Sequence, residues 1–310
     1  MKVEILLLTK CDYEDELRCW LDWHLNIIGF DHIMIFDNES RIDIPNIIKD
    51  YPENSIDYKL IKGWPNQYSL YTEYLKTTKY DWSLPLDDDE FLYISDEFSS
   101  SIHTLISQLS PIYSKNFDKF YIMWVNMFSP TFLQTRTSLY INSHTNFSYT
   151  ACSYLSHSWP EDSGWGKTLI DNSTQHFFSN VYAHIPKSLY TKSDATILLL
   201  PKLETPNSLN SLPIIYHQHL KLHNSLNEII SSVFIAHFQF KSQNDWITKC
   251  TRGRVDIKSN ILLSKKHIYG KLYSFPQSLF KPCTLLKDKW NEYISTKSRT
   301  SSNSTSNLTN

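Results

Sequence analysis

The first 90 residues constrain the fold most, because short, almost wholly apolar runs alternate there with longer stretches of helical period. Val3 to Leu8 is a run of strand length, ended by Thr9-Lys10-Cys11-Asp12, and reads as a buried strand. From Tyr13 to Ile28 the positions Leu17, Trp20, Leu21, His24 and Ile28 recur at helical spacing, with Asp12 and Asp15 as capping signals and Gly29 at the expected end. His32 to Phe36 is a second buried strand, closed by Asp37-Asn38-Glu39-Ser40. A strand, a helix and a strand in this order predict a βαβ unit and a parallel sheet. The pattern continues with a strand over Ile56 to Ile61, a helix over Asn66 to Thr78 and a strand over Trp82 to Leu86.

The fourth strand runs into Asp87-Asp88-Asp89-Glu90, four acids between apolar flanks at Trp82, Leu84 and Leu86 and at Phe91, Leu92 and Ile94. Two readings stand side by side: a hard oxygen-donor site for Mg²⁺ or Mn²⁺, or an acidic loop without a ligand. Chain order favours the first. Open parallel sheets bind ligands at the carboxyl ends of their strands, so Thr9, Lys10, Asp37 and Asn38 are expected to share one crevice with the acids. Asp37 is placed to accept hydrogen bonds from a ligand in that crevice, while Gln67 and Tyr71 either face the same pocket or pack.

Further along, Lys119 to Met127 reads as another strand, and the sequence from Ser129 to about Gly166 is polar, aromatic and irregular, as functional or mobile loops are. Ser232 to Phe240 alternates, with His237 on the face opposite Phe234, Phe238 and Phe240. Ser242 and Asp245 cap a helix through Trp246 and Lys249, with Gly253 at its end. After Ser295 the chain is almost entirely Ser, Thr and Asn, a composition that buries no core and predicts disorder.

With 310 residues, 41% of them hydrophobic, the chain can bury a sizeable core. The expected organisation is an α/β domain over residues 1–295, in two halves, 1–128 and a more basic 129–295, followed by a tail over 296–310. Six glycines argue against a glycine-rich phosphate cradle. Residues 1–100 carry 9 basic and 21 acidic side chains, a charge of −12, whereas residues 101–310 carry 21 and 11, a charge of +10. An acidic half facing a basic half that holds an anion accounts for this split, as does an unevenly charged surface. No continuous basic stripe points to nucleic acid. Five cysteines without paired spacing read as reduced thiols, and the apolar runs are too short for a signal sequence or a membrane span. A cytoplasmic protein, soluble or peripherally membrane-bound, is expected.

Several separated blocks carry a family resemblance. They are Glu14-Asp15-Glu16-Leu17 with Trp20-Leu21-Asp22-Trp23-His24; Gly29-Phe30-Asp31-His32-Ile33; Gln67; Asp87-Asp88-Asp89-Glu90-Phe91; Gly166-Lys167-Thr168; and His237-Phe238-Gln239-Phe240-Lys241-Ser242 with Lys249 and Arg252-Gly253. In this order they resemble the metal-dependent glycosyltransferases of GT-A fold, in the family 2-like group that also takes in the family 92 enzymes. The resemblance implies a Rossmann-like, mostly parallel sheet flanked by helices, with a loop-rich acceptor region. It implies Asp87 and Asp89 as the Asp-x-Asp pair and His237 as a further ligand of Mn²⁺ or Mg²⁺. Asp88 points the other way along the strand and counts with the donor-binding residues, and Glu90 supports the turn. Lys241, Lys249 and Arg252 would hold the diphosphate of a UDP- or GDP-sugar, a role for which a solvated basic face is the alternative at Lys249.

Inverting transfer to a glycan or glycoconjugate hydroxyl needs a general base. Asp162, with Glu161 as alternate, lies between Trp159 and Trp165, rings suited to stacking on a sugar. A non-catalytic carbohydrate-binding protein is the alternative from another class. A metal-dependent phosphoryl transferase is a third, although it needs two close metals where the sequence offers one carboxylate cluster.

Overall fold

The computed structural model describes residues 1–63, 65–113, 119–148, 166–173, 178–180, 187–188, 197–199, 233–239, 241–252 and 281–306. It is a mixed α/β structure around a largely parallel sheet. Strands β1 (Val3–Thr9), β2 (His32–Asp37), β3 (Ile56–Leu60) and β4 (Trp82–Leu86) lie in the order β3-β2-β1-β4, all parallel. Helix α1 (Glu14–Asp22) runs into a π-helical segment, Trp23–Ile27, before β2; the short α2 (Ile44–Ile47) precedes β3, and α3 (Gln67–Leu75) precedes β4. After β4 the chain reverses into β5 (Glu90–Ile94), then forms α4 (Ile102–Tyr113) and the long β6 (Lys119–Phe128). Helix α5 (Tyr140–Ser143), β7 (Asn146–Ser148) and β8 (Gly166–Asp171) follow, and β8 inserts antiparallel between β4 and β6. Beyond it come β9 (Phe178–Asn180), β10 (Lys187–Ser188), β11 (Ile197–Leu199), β12 (Val233–His237), α6 (Gln243–Arg252), β13 (Lys281–Pro282) and α7 (Leu285–Ser306). Strand β12 pairs antiparallel with β5 and parallel with β6, which brings the late part of the chain back to the acid run.

Alternation along β1 explains both faces of the sheet. Val3, Ile5 and Leu7 pack towards Trp20 and Trp23, while Leu6 and Leu8 pack with Met34, Phe36, Tyr71 and Leu75. Glu4 shares the second face and is buried without disrupting the strand, because Tyr74, Thr78 and Ser83 all donate hydroxyl hydrogen bonds to its carboxylate.

Two local readings change. No side chain caps α1; its N-cap is Tyr13, and Asp15 lies in the first turn, where acids favour the helix dipole. The helical period past Asp22 belongs to the π segment, whose Ile28 N–H reaches the Trp23 carbonyl, and Gly29 then takes φ +82°, a left-handed conformation glycine adopts without strain. At the other end of the chain, α7 continues to Ser306, where composition predicts disorder from residue 296. Leu286 and Trp290 bury one face of α7, Lys297 pairs with Asp22, and the hydroxyls of Ser295, Thr296 and Ser298 bond back to carbonyls one turn earlier. Among the described residues no helix is long and apolar enough to cross a membrane.

Candidate active site

The four acids form a reverse turn. Glu90 N–H bonds the Asp87 carbonyl at 3.1 Å, and Asp87 N–H donates back to the Glu90 carboxylate at 2.9 Å, so the run closes on itself between β4 and β5. Helix α1 and its π extension clamp the outgoing strand. The Trp20 and Trp23 indoles donate to the carbonyls of Glu90 and Leu92, each at 2.7 Å. His24 donates from Nδ1 to the Trp20 carbonyl and accepts the Leu92 N–H at Nε2. Burial holds that imidazole neutral, lowering its pKa to about 3.

The turn splays its carboxylates in different directions. Asp87 accepts from Lys167 of β8 at 2.9 Å, and the same ammonium lies 3.3 Å from Glu90. Burial opposes the charge on Lys167, yet Asp87 and Glu90 outweigh it and raise its pKa. Asp88 faces β1: because Leu7 pairs with Leu86, Thr9 comes level with Asp88 and donates its hydroxyl to it at 2.6 Å, with Cys11 Sγ at 3.3 Å. Asp89, almost wholly buried, lies 3.6 Å from His237 Nε2 at the end of β12, and its carbonyl accepts the Phe238 N–H. The His237 ring packs on Trp124, with centroids 4.4 Å apart.

Lys241 completes the arrangement. It lines a cleft with Asp88, Asp89, Glu16, Lys10 and Cys11, reached also by Asp12, Tyr13 and Asp245. Burial disfavours its charge, but Asp88, Asp89 and Glu16 more than compensate and raise its pKa. Glu16 moves the opposite way, to about 6: burial raises it, against the attraction of Lys241, the Tyr140 N–H and Arg136. Ser242 and Asp245 bond each other's backbone N–H as a capping box for α6, and Asp245 also accepts the hydroxyls of Tyr13 and Tyr140. Burial opposes the charge of Asp245, and these bonds overcome it and lower its pKa.

Thr9, Lys10, Asp88, Asp89, Lys241 and His237 are thus drawn together at the carboxyl edge of the sheet. Other expected residues are employed elsewhere. Asp87 is engaged by Lys167, and both Asp37 oxygens are occupied by the Ser40 N–H and the Tyr58 hydroxyl. The Asn38 amide donates to the carbonyls of Ile61 and Gly63, and Gln67 bonds the hydroxyl of Tyr71, which in turn receives the Leu8 N–H. Lys249 and Arg252 lie on α6. Asp162 and Glu161 fall outside the described residues, as do Phe240 and Gly253.

The structure adds Glu16 and a role for Lys167. Glu16 stands one turn before Trp20 on the apolar stripe of α1, and Lys167 interrupts a buried strand; a charge on a buried face was the available signal in both. Asp89 and His237, one carboxylate and one imidazole 3.6 Å apart, are side-chain types able to ligate a divalent cation. Among the described residues no group of three or more His, Cys, Asp or Glu is arranged to hold a metal ion unaided.

No family model and no curated protein matches this sequence. Among solved structures, residues 1–349 of S. aureus TarS in complex with UDP-GlcNAc align at 13% identity over 58% of this chain and 49% of that chain, with a TM-score of 0.30. The chain therefore spans about half the length of that fragment. The 4-diphosphocytidyl-2C-methyl-D-erythritol synthase of Anaerococcus prevotii aligns at 10% identity over 71% of this chain and 96% of that one, TM-score 0.33. A mannosyltransferase from Pyrobaculum calidifontis, in complex with GDP-Man and Mn²⁺, aligns at 9% identity over 42% and 36% of the two chains, TM-score 0.30.

Proposed function

We propose that the chain is an inverting glycosyltransferase that moves a sugar from a nucleoside diphosphate sugar to a hydroxyl of a glycan or glycoconjugate. The observation that carries this reading is the meeting of Asp88 and Asp89 with Lys241 in one cleft at the carboxyl edge of a parallel sheet, with His237 beside Asp89 at 3.6 Å. Departure of the diphosphate concentrates negative charge, and a half-buried ammonium fixed among carboxylates is a preorganised partner for it. Lys241 takes that role, and Lys249 and Arg252 of the following helix are further candidates for the diphosphate. Asp89 and His237 would hold Mn²⁺ or Mg²⁺, which when bound supplies further positive charge beside the phosphates. Thr9 and Lys10 border the nucleoside, and Asp88, held by the Thr9 hydroxyl, orients the donor. Asp162 or Glu161 takes the proton of the acceptor hydroxyl.

A thermal-shift panel of UDP, GDP and their sugars, with and without Mn²⁺, tests the reading. One nucleotide is expected to stabilise the protein by about 2.7 kcal/mol at a hundred times its Kd. Lys241→Met and Asp89→Asn should both remove that shift and donor turnover. If no nucleotide shifts the native protein under either condition, the proposal fails.

A further inference from the structure

Among the described residues the sheet ends at β3, and the sequence of that edge is self-complementary. Ser55 accepts the Ile33 N–H and Ile61 donates to the Asp37 carbonyl, so the residues of odd number face β2. Ile56, Tyr58 and Leu60 therefore direct their N–H and C=O groups outward. No strand pairs with β3 on that side among the described residues, and Leu60 is 46% exposed there. Such an edge is a template for another strand.

The sequence of the edge, Ile56-Asp57-Tyr58-Lys59-Leu60, selects its partner. Laid antiparallel on a second copy about a two-fold axis through Tyr58, it pairs Ile56 with the other copy's Leu60, and each Tyr58 with its mate, as hydrogen-bonded pairs. Asp57 then stands opposite Lys59 in both halves, at the positions where cross-strand side chains approach most closely. Parallel pairing, or a shift of one residue, loses this match. Lys59 makes no ion pair among the described residues, and the Asp57 side chain, although it lies 3.2 Å from His32, is 64% exposed.

We propose that β3 is a homodimer interface, through which two copies join their sheets edge to edge with reciprocal Asp57–Lys59 pairs. A two-fold contact requires this reciprocity, since each surface must complement itself. The proposal is independent of the reaction catalysed.

Sedimentation of the full chain between about 1 and 100 µM tests it, with far-UV circular dichroism confirming that each variant is folded. The native protein is expected to show a monomer–dimer equilibrium that weakens with salt. Lys59→Asp places four carboxylates across the contact and should weaken dimerisation by about tenfold or more. The exchange Asp57→Lys with Lys59→Asp restores opposite charges and should recover the native equilibrium. A native chain that stays monomeric at the highest concentration overturns the proposal. So does a dimer indifferent to Lys59→Asp, or one that the exchanged pair leaves as weak as the single variant.

Discussion

Replacing Lys167 by Met is expected to be among the most destabilising single changes in the protein. The ammonium is 1% exposed, 2.9 Å from Asp87 and 3.3 Å from Glu90, whose own side chain is 0% exposed. Methionine fills the space of the lysine stem but leaves Glu90 buried without its counter-charge. Breaking a buried pair from one side costs about 3–5 kcal/mol. At about 2–4 °C per kcal/mol for a chain of this size, Tm should fall by about 6–20 °C. Adding Glu90→Gln separates charge from packing, since the amide oxygen can still accept the Asp87 N–H. Asp87 keeps a side-chain exposure of 38% and is partly served by water. The pair of changes should therefore recover on the order of 2 kcal/mol relative to Lys167→Met alone. Denaturant unfolding followed by tryptophan fluorescence reads both variants, with an unchanged m-value showing that the transition is comparable. A loss of under about 1 kcal/mol for Lys167→Met, or a double variant less stable than the single one, would refute the account of the turn as an acid cluster held by one buried cation.

Glu16→Gln should alter the pH dependence of stability. The folded pKa of Glu16, about 6, lies above its ordinary 4.5, so the stability contributed by the protonated form is complete below 4.5 and lost as pH rises through 6. The variant, which lacks this loss, should gain on the native protein by about 2 kcal/mol between about pH 4 and 7; equal slopes would contradict the assignment. Ser242→Ala removes the hydroxyl that accepts the Asp245 N–H at the start of α6 and should cost about 1 kcal/mol in chemical denaturation. In α7, Trp290→Ala should cost about 3–5 kcal/mol, whereas deletion of residues 299–310, beyond the last ion pair to α1, should change Tm by less than about 2 °C.

Much of the architecture was legible along the chain because strands and helices of a parallel sheet are written in local patterns. The strand over Trp82 to Leu86 has the bounds read from sequence, and β1, β2 and β3 differ from theirs by one residue. The miss at α7 has a tertiary cause. Ser and Thr are poor helix formers, but a helix already nucleated by the docking of Leu286 and Trp290 propagates into them at little cost. The π segment was invisible for a related reason, since one extra residue in a turn leaves the apolar spacing almost unchanged.

Composition and order alone determined that a parallel sheet would carry acids at a strand's carboxyl end and that the two parts of the chain would bear opposite charge. The direction of each acid was decided only by tertiary structure. Asp87 turns to Lys167, Asp88 to Thr9 and Asp89 to His237, and the basic part meets the acidic part through Lys167, Arg136 and Lys297. Adjacent residues of a turn have no fixed side-chain period, so nothing local dictates where they point. Each carboxylate goes to the donor or cation that folding brings beside it from 79 or more residues away, because leaving it buried and unpaired costs more than any local preference supplies.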